Sequence, residues 1–145
     1  YDRGVKSTSP KKEAVMLKGV ALRATTQRVA LLRALSRATK PQSVEALTRT
    51  LRGELDIATA YRTLGTFVEA GLVRQVELSA GRALYEMAGE HHHHVVCTTC
   101  DRIEDVDVCL PEAFSTTVRK ASGFASVREH TLEFFGICKP CARKI

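Results

Sequence analysis

The sequence lacks a long apolar run and the features typical of a secreted protein. No stretch approaches the roughly 20 apolar residues that a membrane-spanning helix needs. The first ten residues contain no apolar h-region, so we expect no secretory signal in this stretch. Five cysteines are an odd number, which argues against a disulfide framework and favours a reducing compartment. We therefore expect a cytoplasmic protein that contacts no membrane.

The sequence also lacks the patterns of an active site. It contains no HExxH motif, and no nucleophile stands beside a base in a recognisable arrangement. We therefore expect that the protein is not an enzyme. A metal-storage or metal-dependent hydrolytic protein is the alternative from another functional class.

The composition is that of a folded protein with two unlike halves. The 145 residues are 44% hydrophobic and 26% charged, which suits one ordinary domain or two small ones. Residues 1–84 carry 15 basic and 7 acidic side chains, whereas residues 85–145 carry 7 basic and 9 acidic ones. All five cysteines and all five histidines fall in the second half. A basic part is thus followed by a part rich in metal-ligand side chains.

The order of helical and strand patterns predicts an α+β fold in two domains. Residues 1–12 are polar, and we expect a flexible N-terminus there. Residues 13–85 show three or four amphipathic helices followed by a β-hairpin that turns at Ser79-Ala80-Gly81, which is the order of a winged helix-turn-helix. Residues 86–145 predict a small α+β unit. Its expected elements are strands at Val95-Val96, Arg102–Val108 and Val127–Ile137 and a helix over Pro111–Ala121.

The helix that begins after Asp56 is the candidate for reading DNA. In a helix-turn-helix the second helix enters the major groove, and its early residues reach the base edges. The outward positions are Thr59, Tyr61, Arg62 and Thr63, and the hairpin adds Arg74 and Arg82. The alternative is that Tyr61 belongs to the core and Arg62 is a solvated charge. The net charge, helix order and hairpin together favour nucleic-acid binding.

Two CxxC pairs predict a closed metal site. Cys97 and Cys100 form the first pair, and Cys138 and Cys141 form the second. Two short turns of this kind supply the four thiolates of a tetrahedral structural zinc site. A redox CxxC or ordinary buried cysteines are the alternatives, but a thioredoxin-like motif needs one pair near a βαβ pattern. Cys109 stands outside the pairs and is expected to be a small apolar residue.

The four successive histidines at 91–94 predict metal binding. In an extended strand His91 and His93 face one way, and His92 and His94 face the other. One segment can therefore give two imidazoles to each of two sites. Nitrogen and oxygen ligands suit Fe(II), Mn(II), Ni(II) or Zn(II) without choosing among them. A solvated tract or an affinity tag is the alternative. The available partners elsewhere are Glu86, Asp105, Glu112 and His130.

Together these segments resemble the ferric uptake regulator family of bacterial metal-responsive repressors. The resemblance covers about residues 15–142. The matching segments are Thr26-Gln27-Arg28, Thr59-Ala60-Tyr61-Arg62-Thr63-Leu64, Glu69-Ala70-Gly71-Leu72-Val73, Glu90 to Cys100, His130-Thr131-Leu132-Glu133 and Phe135-Gly136-Ile137-Cys138. The family implies that residues 13–85 form a winged-helix DNA-binding domain and residues 86–145 a small α/β metal-binding dimerisation domain. It also implies a homodimer that binds a palindromic operator in double-stranded DNA when a regulatory metal is bound.

The resemblance also implies roles for individual residues. Each role is carried over by position, as follows: structural zinc, Cys97, Cys100, Cys138 and Cys141; regulatory metal at the domain junction, Glu86, His92, His94 and Asp105; second metal, His91, His93, Glu112 and His130; DNA contact, Tyr61 and Arg62. The implied cofactors are a structural Zn²⁺ and a regulatory Fe²⁺, Mn²⁺ or Zn²⁺.

Three positions depart from the family pattern. Pro41 stands where relatives carry a further histidine ligand, so the junction site has four candidate ligands unless another residue substitutes. Met87-Ala88 stands where zinc-uptake regulators often have a cysteine. The aspartate at position 105, where a glutamate is the alternative, favours the peroxide-sensing subgroup. We therefore expect a repressor of metal uptake or homeostasis genes, with a peroxide sensor that oxidises its metal-bound histidines as the alternative.

Overall fold

A computed structural model describes residues 10–78 and 81–144 of the chain. The chain contacts divide it into two compact units, and the division falls between Gly89 and Glu90. Across the described residues, no helix is both long and apolar enough to cross a membrane.

The first unit consists of four helices followed by a two-stranded hairpin. Its elements are α1 (Pro10–Gly19), α2 (Thr26–Arg37), α3 (Val44–Thr50), α4 (Ile57–Glu69), β1 (Val73–Glu77) and β2 (Ala83–Met87). The two strands pair antiparallel, with Val73 opposite Met87. Gln42 extends the hairpin by a bridge to Tyr85, with two backbone hydrogen bonds of 2.8 Å. This is the predicted winged-helix order.

Local capping signals explain where three of these helices begin. Thr25 accepts a hydrogen bond from the backbone N–H of Arg28, and Ser43 accepts one from Ala46. Asp56 caps α4 by accepting the Thr59 N–H at 2.9 Å. Such caps satisfy backbone donors that have no partner inside the helix.

One apolar core joins the helices of the first unit to its hairpin. Its members are buried residues from all four helices, the segments between them and both strands: Leu17, Leu31, Leu32, Leu35, Val44, Leu47, Leu55, Ala60, Leu64, Phe67, Leu72, Val73 and Tyr85. This core fixes the orientation of α4, since Ala60, Leu64 and Phe67 turn one face of the helix inward.

The second unit is a three-stranded sheet with two helices. Its elements are β3 (His93–Cys97), β4 (Ile103–Val106), α5 (Glu112–Ser122), β5 (Glu133–Gly136) and α6 (Lys139–Ala142). The central strand β3 pairs antiparallel with β4 and parallel with β5. The α+β fold class expected from the sequence is thereby confirmed.

Several predicted boundaries differ from the observed ones. Pro10 to Lys12 open α1 instead of belonging to a flexible segment, while residues 1–9 lie outside the described part. Ser79 and Ala80 of the predicted turn lie outside it as well. The strand predicted over Val127–Ile137 shrinks to β5, because β3 begins at His93 and offers pairing only from His94 onward. The short helix α6 was not predicted.

The second unit buries few side chains. Among its described residues only His93, His94, Val96 and Cys97 are buried, and α5 contributes none. Large apolar side chains instead face outward on the helix, the strand and the loops, namely Val108, Phe114, Val118, Phe124, Phe134, Phe135 and Ile137. The apolar core of this unit is therefore too small to account for its fold by itself.

Candidate metal centres and nucleic-acid interface

The outer face of α4 carries a tyrosine and an arginine in a fixed arrangement. Tyr61 is 46% exposed, which contradicts its placement in the core, and Arg62 is exposed too. Asp56 accepts the Thr59 hydroxyl at 2.6 Å, and Arg62 Nη2 donates to that hydroxyl oxygen at 3.3 Å. The hydrogen bonds from Thr59 lower the pKa of Asp56, so its carboxylate is ionised at neutral pH. Thr59 and Thr63 are half-buried beside the exposed pair.

On the hairpin, Arg74 is paired while Arg82 is exposed at the tip. Arg74 and Glu86 stand opposite each other in the β1–β2 register. Arg74 Nε donates to Glu86 Oε1 at 3.0 Å, and Nη2 of the same arginine donates to that oxygen as well. The Glu86 carboxylate therefore neutralises Arg74, and any cation that binds Glu86 competes with this ion pair.

The four cysteines of the two CxxC pairs converge in the second unit. Their sulfurs all lie within 4.8 Å of one another, and the Cys100 and Cys138 sulfurs are 3.8 Å apart. Four sulfurs bound at about 2.3 Å around a tetrahedral zinc ion stand about 3.8 Å apart. The donor set and its spacing therefore fit a structural zinc ion.

Backbone donors favour the thiolate form at this cluster. The N–H of Cys138 donates to Cys97 Sγ at 3.3 Å. This bond, with a second from the backbone of Thr99, lowers the pKa of the Cys97 thiol to about 6. Hydrogen bonds with the Cys138 and Cys100 sulfurs raise the pKa of Cys141, because the crowded sulfurs share protons. A divalent cation replaces those protons when it binds four thiolates.

The histidine run divides between two faces, as strand alternation requires. The rings of His91 and His93 meet edge to face with centroids 4.5 Å apart. The rings of His92 and His94 meet in the same way at 4.8 Å. Only His93 and His94 belong to β3, but the extended chain before the strand continues the alternation.

On one face, the ring of His92 meets that of His94, and His94 lies near a carboxylate of the neighbouring strand. His94 is paired with Asp105 in the β3–β4 register, and His94 Nε2 is 3.6 Å from Asp105 Oδ1. His92 Nδ1 lies 2.9 Å from the carbonyl oxygen of Glu90, so Nδ1 is the protonated donor. In that tautomer Nε2 carries the lone pair, which is the form that a metal ion binds.

Two further positions of the predicted junction site belong to the first unit. Glu86 lies on β2, where it pairs with Arg74. Pro41 is buried next to the Gln42 bridge and offers no ligand atom.

On the other face, three histidines and a cysteine bring their ligand atoms together. His91 Nε2 lies 3.0 Å from His93 Nε2 and 3.2 Å from His130 Nε2. Cys109 Sγ lies 3.2 Å from the same His130 nitrogen. Burial lowers the pKa of His93, and the neighbouring imidazoles His91 and His130 lower it further, so this ring is neutral and can ligate.

The fourth member of that group differs from the residue implied by the resemblance. The side chains whose ligand atoms lie within 4.8 Å of one another include Cys109 and not Glu112. Glu112 is the exposed first residue of α5, directly after Pro111. Cys109, expected from the sequence to be a small apolar residue, instead places its sulfur among these ligand atoms. The sequence signal for this was a thiol three residues before Glu112.

Comparison with known proteins identifies the same family as the sequence motifs. The profile of the ferric uptake regulator family matches residues 19–135. The ferric uptake regulation protein of Legionella pneumophila is 33% identical over 134 residues, which cover 89% of this chain and 98% of that protein. The peroxide operon regulator of Bacillus subtilis is 28% identical over 137 residues, covering 92% and 94% of the two chains.

The fold is also shared with solved structures. The ferric uptake regulator of Helicobacter pylori, whose structure reveals three functional metal-binding sites, superposes with a TM-score of 0.73 at 25% identity. That likeness covers 93% of this chain and 95% of the other.

Removal of metal tests whether the cysteine cluster holds the second unit together. We expect a strong chelator to unfold this unit, because the free energy of zinc binding replaces the missing apolar core. Circular dichroism and hydrogen exchange of residues 90–144 report the change, while the first unit keeps its protected core. Restoring one equivalent of Zn(II) should reverse the loss. Unchanged exchange in the second unit after complete zinc removal would contradict this expectation.

Proposed function

This chain belongs to the ferric uptake regulator family, and we propose that it is a metal-responsive DNA-binding repressor of metal uptake or homeostasis genes. The members of this family are transcription regulators that bind metal and DNA. The observation that carries the proposal is the histidine run that leads into β3. It gives one pair of imidazoles to each of two faces, beside further ligand side chains.

The first unit supplies the DNA-reading surface in this proposal. Tyr61 and Arg62 point away from the core on a capped helix, and Arg62 is oriented by its hydrogen bond to Thr59. The exposed residue one turn along from Tyr61 is Gly65, which leaves room for close approach of a DNA backbone. Arg62 would donate to phosphate or guanine, while Tyr61 would contact a base methyl or a phosphate. Thr59 and Thr63 flank this pair.

The second unit supplies the regulatory ligands. His92, His94 and Asp105 offer two imidazoles and a carboxylate, a set that suits Fe²⁺, Mn²⁺ or Zn²⁺. Glu86 is retained as the fourth ligand on the basis of the family resemblance. These residues would regulate DNA binding by holding the ion more tightly in the DNA-binding state than in the other state. His91, His93 and His130 would hold a second metal ion.

The four cysteines would hold the structural Zn²⁺, and a second copy of the chain would cover the outward apolar side chains. Phe114 and Val118 on α5 and Phe134 and Phe135 on β5 are partly or largely exposed, as expected for a unit that dimerises. A homodimer also matches the two half-sites of a palindromic operator.

Metal dependence of DNA binding tests the proposal. The probe is a duplex selected from random sequence by the metal-loaded protein. We expect Fe(II), Mn(II) or Zn(II) to tighten binding by about 5- to 150-fold, with two chains on each duplex. His92→Ala should abolish this gain, whereas Glu129→Gln, a change at an exposed carboxylate of the same unit, should preserve it. Equal affinity of the metal-free and metal-loaded wild-type protein in electrophoretic shifts would refute the proposal.

Replacement of Arg62 tests the DNA-reading surface. If Arg62 contacts a phosphate, Arg62→Ala weakens binding and reduces the slope of log affinity against log salt by about one. Arg37→Ala removes the same charge from the exposed end of α2 and serves as the matched control. Equal salt slopes for both variants would exclude a phosphate contact by Arg62.

A peroxide-sensing repressor is the second candidate, favoured by Asp105 beside His94 and by the Bacillus subtilis relative. It predicts that peroxide adds oxygen to His92 or His94 in the Fe(II)-loaded protein. Mass spectrometry of peptides detects the addition, and the Mn(II)-loaded protein serves as the control. Unmodified His92 and His94 after treatment would rule this candidate out.

A further inference from the structure

The cluster of three histidines and one cysteine contains more close contacts than hydrogen bonds can explain. A ring nitrogen of a neutral imidazole is either a single donor or a single acceptor. His91 Nε2 faces the Nε2 atoms of both His93 and His130, and His130 Nε2 also faces Cys109 Sγ. At most two of these three contacts can be good hydrogen bonds at one time.

A bound cation would explain the third contact, which cannot be a hydrogen bond. Its ligands present lone pairs toward one point, so none of the four atoms has to donate a proton to its neighbour. Nitrogen ligands at about 2.05 Å around a tetrahedral zinc ion stand about 3.3 Å apart. The observed spacings of 3.0 and 3.2 Å between the imidazole nitrogens are near this value.

Glu112 and Cys109 lie at different places relative to the three histidines. Glu112 is held at the exposed start of α5 and is not part of the group of converging ligand atoms. Cys109 lies in the segment between β4 and α5, and its sulfur meets His130. Position in the fold therefore favours the thiol over the carboxylate as the fourth ligand.

We propose that Cys109, and not Glu112, completes the second metal site with His91, His93 and His130, and that this mixed nitrogen–sulfur site takes Zn(II). Thiolate and carboxylate carry the same charge, so having Cys109 instead of Glu112 as the fourth ligand leaves the net charge of the site unchanged. It makes the ligand set softer, because sulfur is more polarisable than oxygen. A thiolate selects zinc over Mn(II), which prefers oxygen ligands. The inference rests on the second metal site of the proposed function and adds the ligand and the ion.

Cobalt substitution tests the assignment. The full-length protein is first loaded with one Zn(II) at the four cysteines and kept anaerobic with a non-thiol reductant. Added Co(II) then gives a near-ultraviolet thiolate-to-cobalt band only if it meets a further sulfur, because the His92 and His94 set contains none. We expect one such band in the wild type, its loss in Cys109→Ser, and its retention in Glu112→Gln.

The affinities and a rescue variant separate a ligand from a merely structural cysteine. Cys109→Ser should weaken Co(II) binding at this site by about 100-fold or more, since even an outer-shell partner is worth 10–100-fold. Cys109→Asp should recover part of the affinity without the band. Circular dichroism confirms that the variants are folded.

Several outcomes would overturn the inference. A wild type without the band, a band that persists in Cys109→Ser while the four cysteines keep their zinc, or a loss of cobalt binding in Glu112→Gln would each do so. Quantifying the bound zinc throughout the titration shows that the four cysteines keep their ion. These measurements contain no DNA, so they can fail while the metal-dependent DNA binding of the proposed function succeeds, and the reverse is equally possible.

Discussion

The convergence of four cysteine sulfurs is the constraint on which the second unit depends. Two short turns, one after β3 and one at the start of α6, meet at distances that match tetrahedral zinc. Apolar burial cannot replace this link, since four buried side chains among the described residues of the unit make no sizeable core. The sheet then positions the imidazoles of both faces, because Cys97 ends the strand that carries His93 and His94.

The histidine strand shows how one backbone geometry yields two chemically different sites. Alternation brings His92 beside His94, and the ligand atom next to His94 is a carboxylate oxygen of Asp105. It sends His93 toward His130 and the sulfur of Cys109. The imidazoles are alike on both faces, so the proposed difference in metal preference comes from the residues of other segments. These are Asp105 on one face, and His130 with Cys109 on the other.

Local signals in the sequence predicted the first unit well and the second unit in part. Helix starts at Ser43 and Asp56 depend on a side chain and a backbone group three residues away, so they can be read from sequence. The extent of β5 depends on where β3 begins, and the sulfur of Cys109 meets His130 across 21 residues of chain. Contacts of that kind depend on the path of the loops, which residue spacing does not encode.

The histidine run does not by itself specify the register of the strand. If the strand slipped by one residue, each face would exchange one pair of imidazoles for another, and identical residues would conceal the error. Cys97 removes this degeneracy, because a slip would turn its sulfur away from the other three cysteine sulfurs. The adjacent Val95 and Val96 cannot do so, since one valine would replace the other. The cysteine cluster thus fixes the register of the repeated residues before it. Insertion of one residue between His94 and Cys97 would exchange the two histidine pairs between the faces, and each face would still carry two histidines.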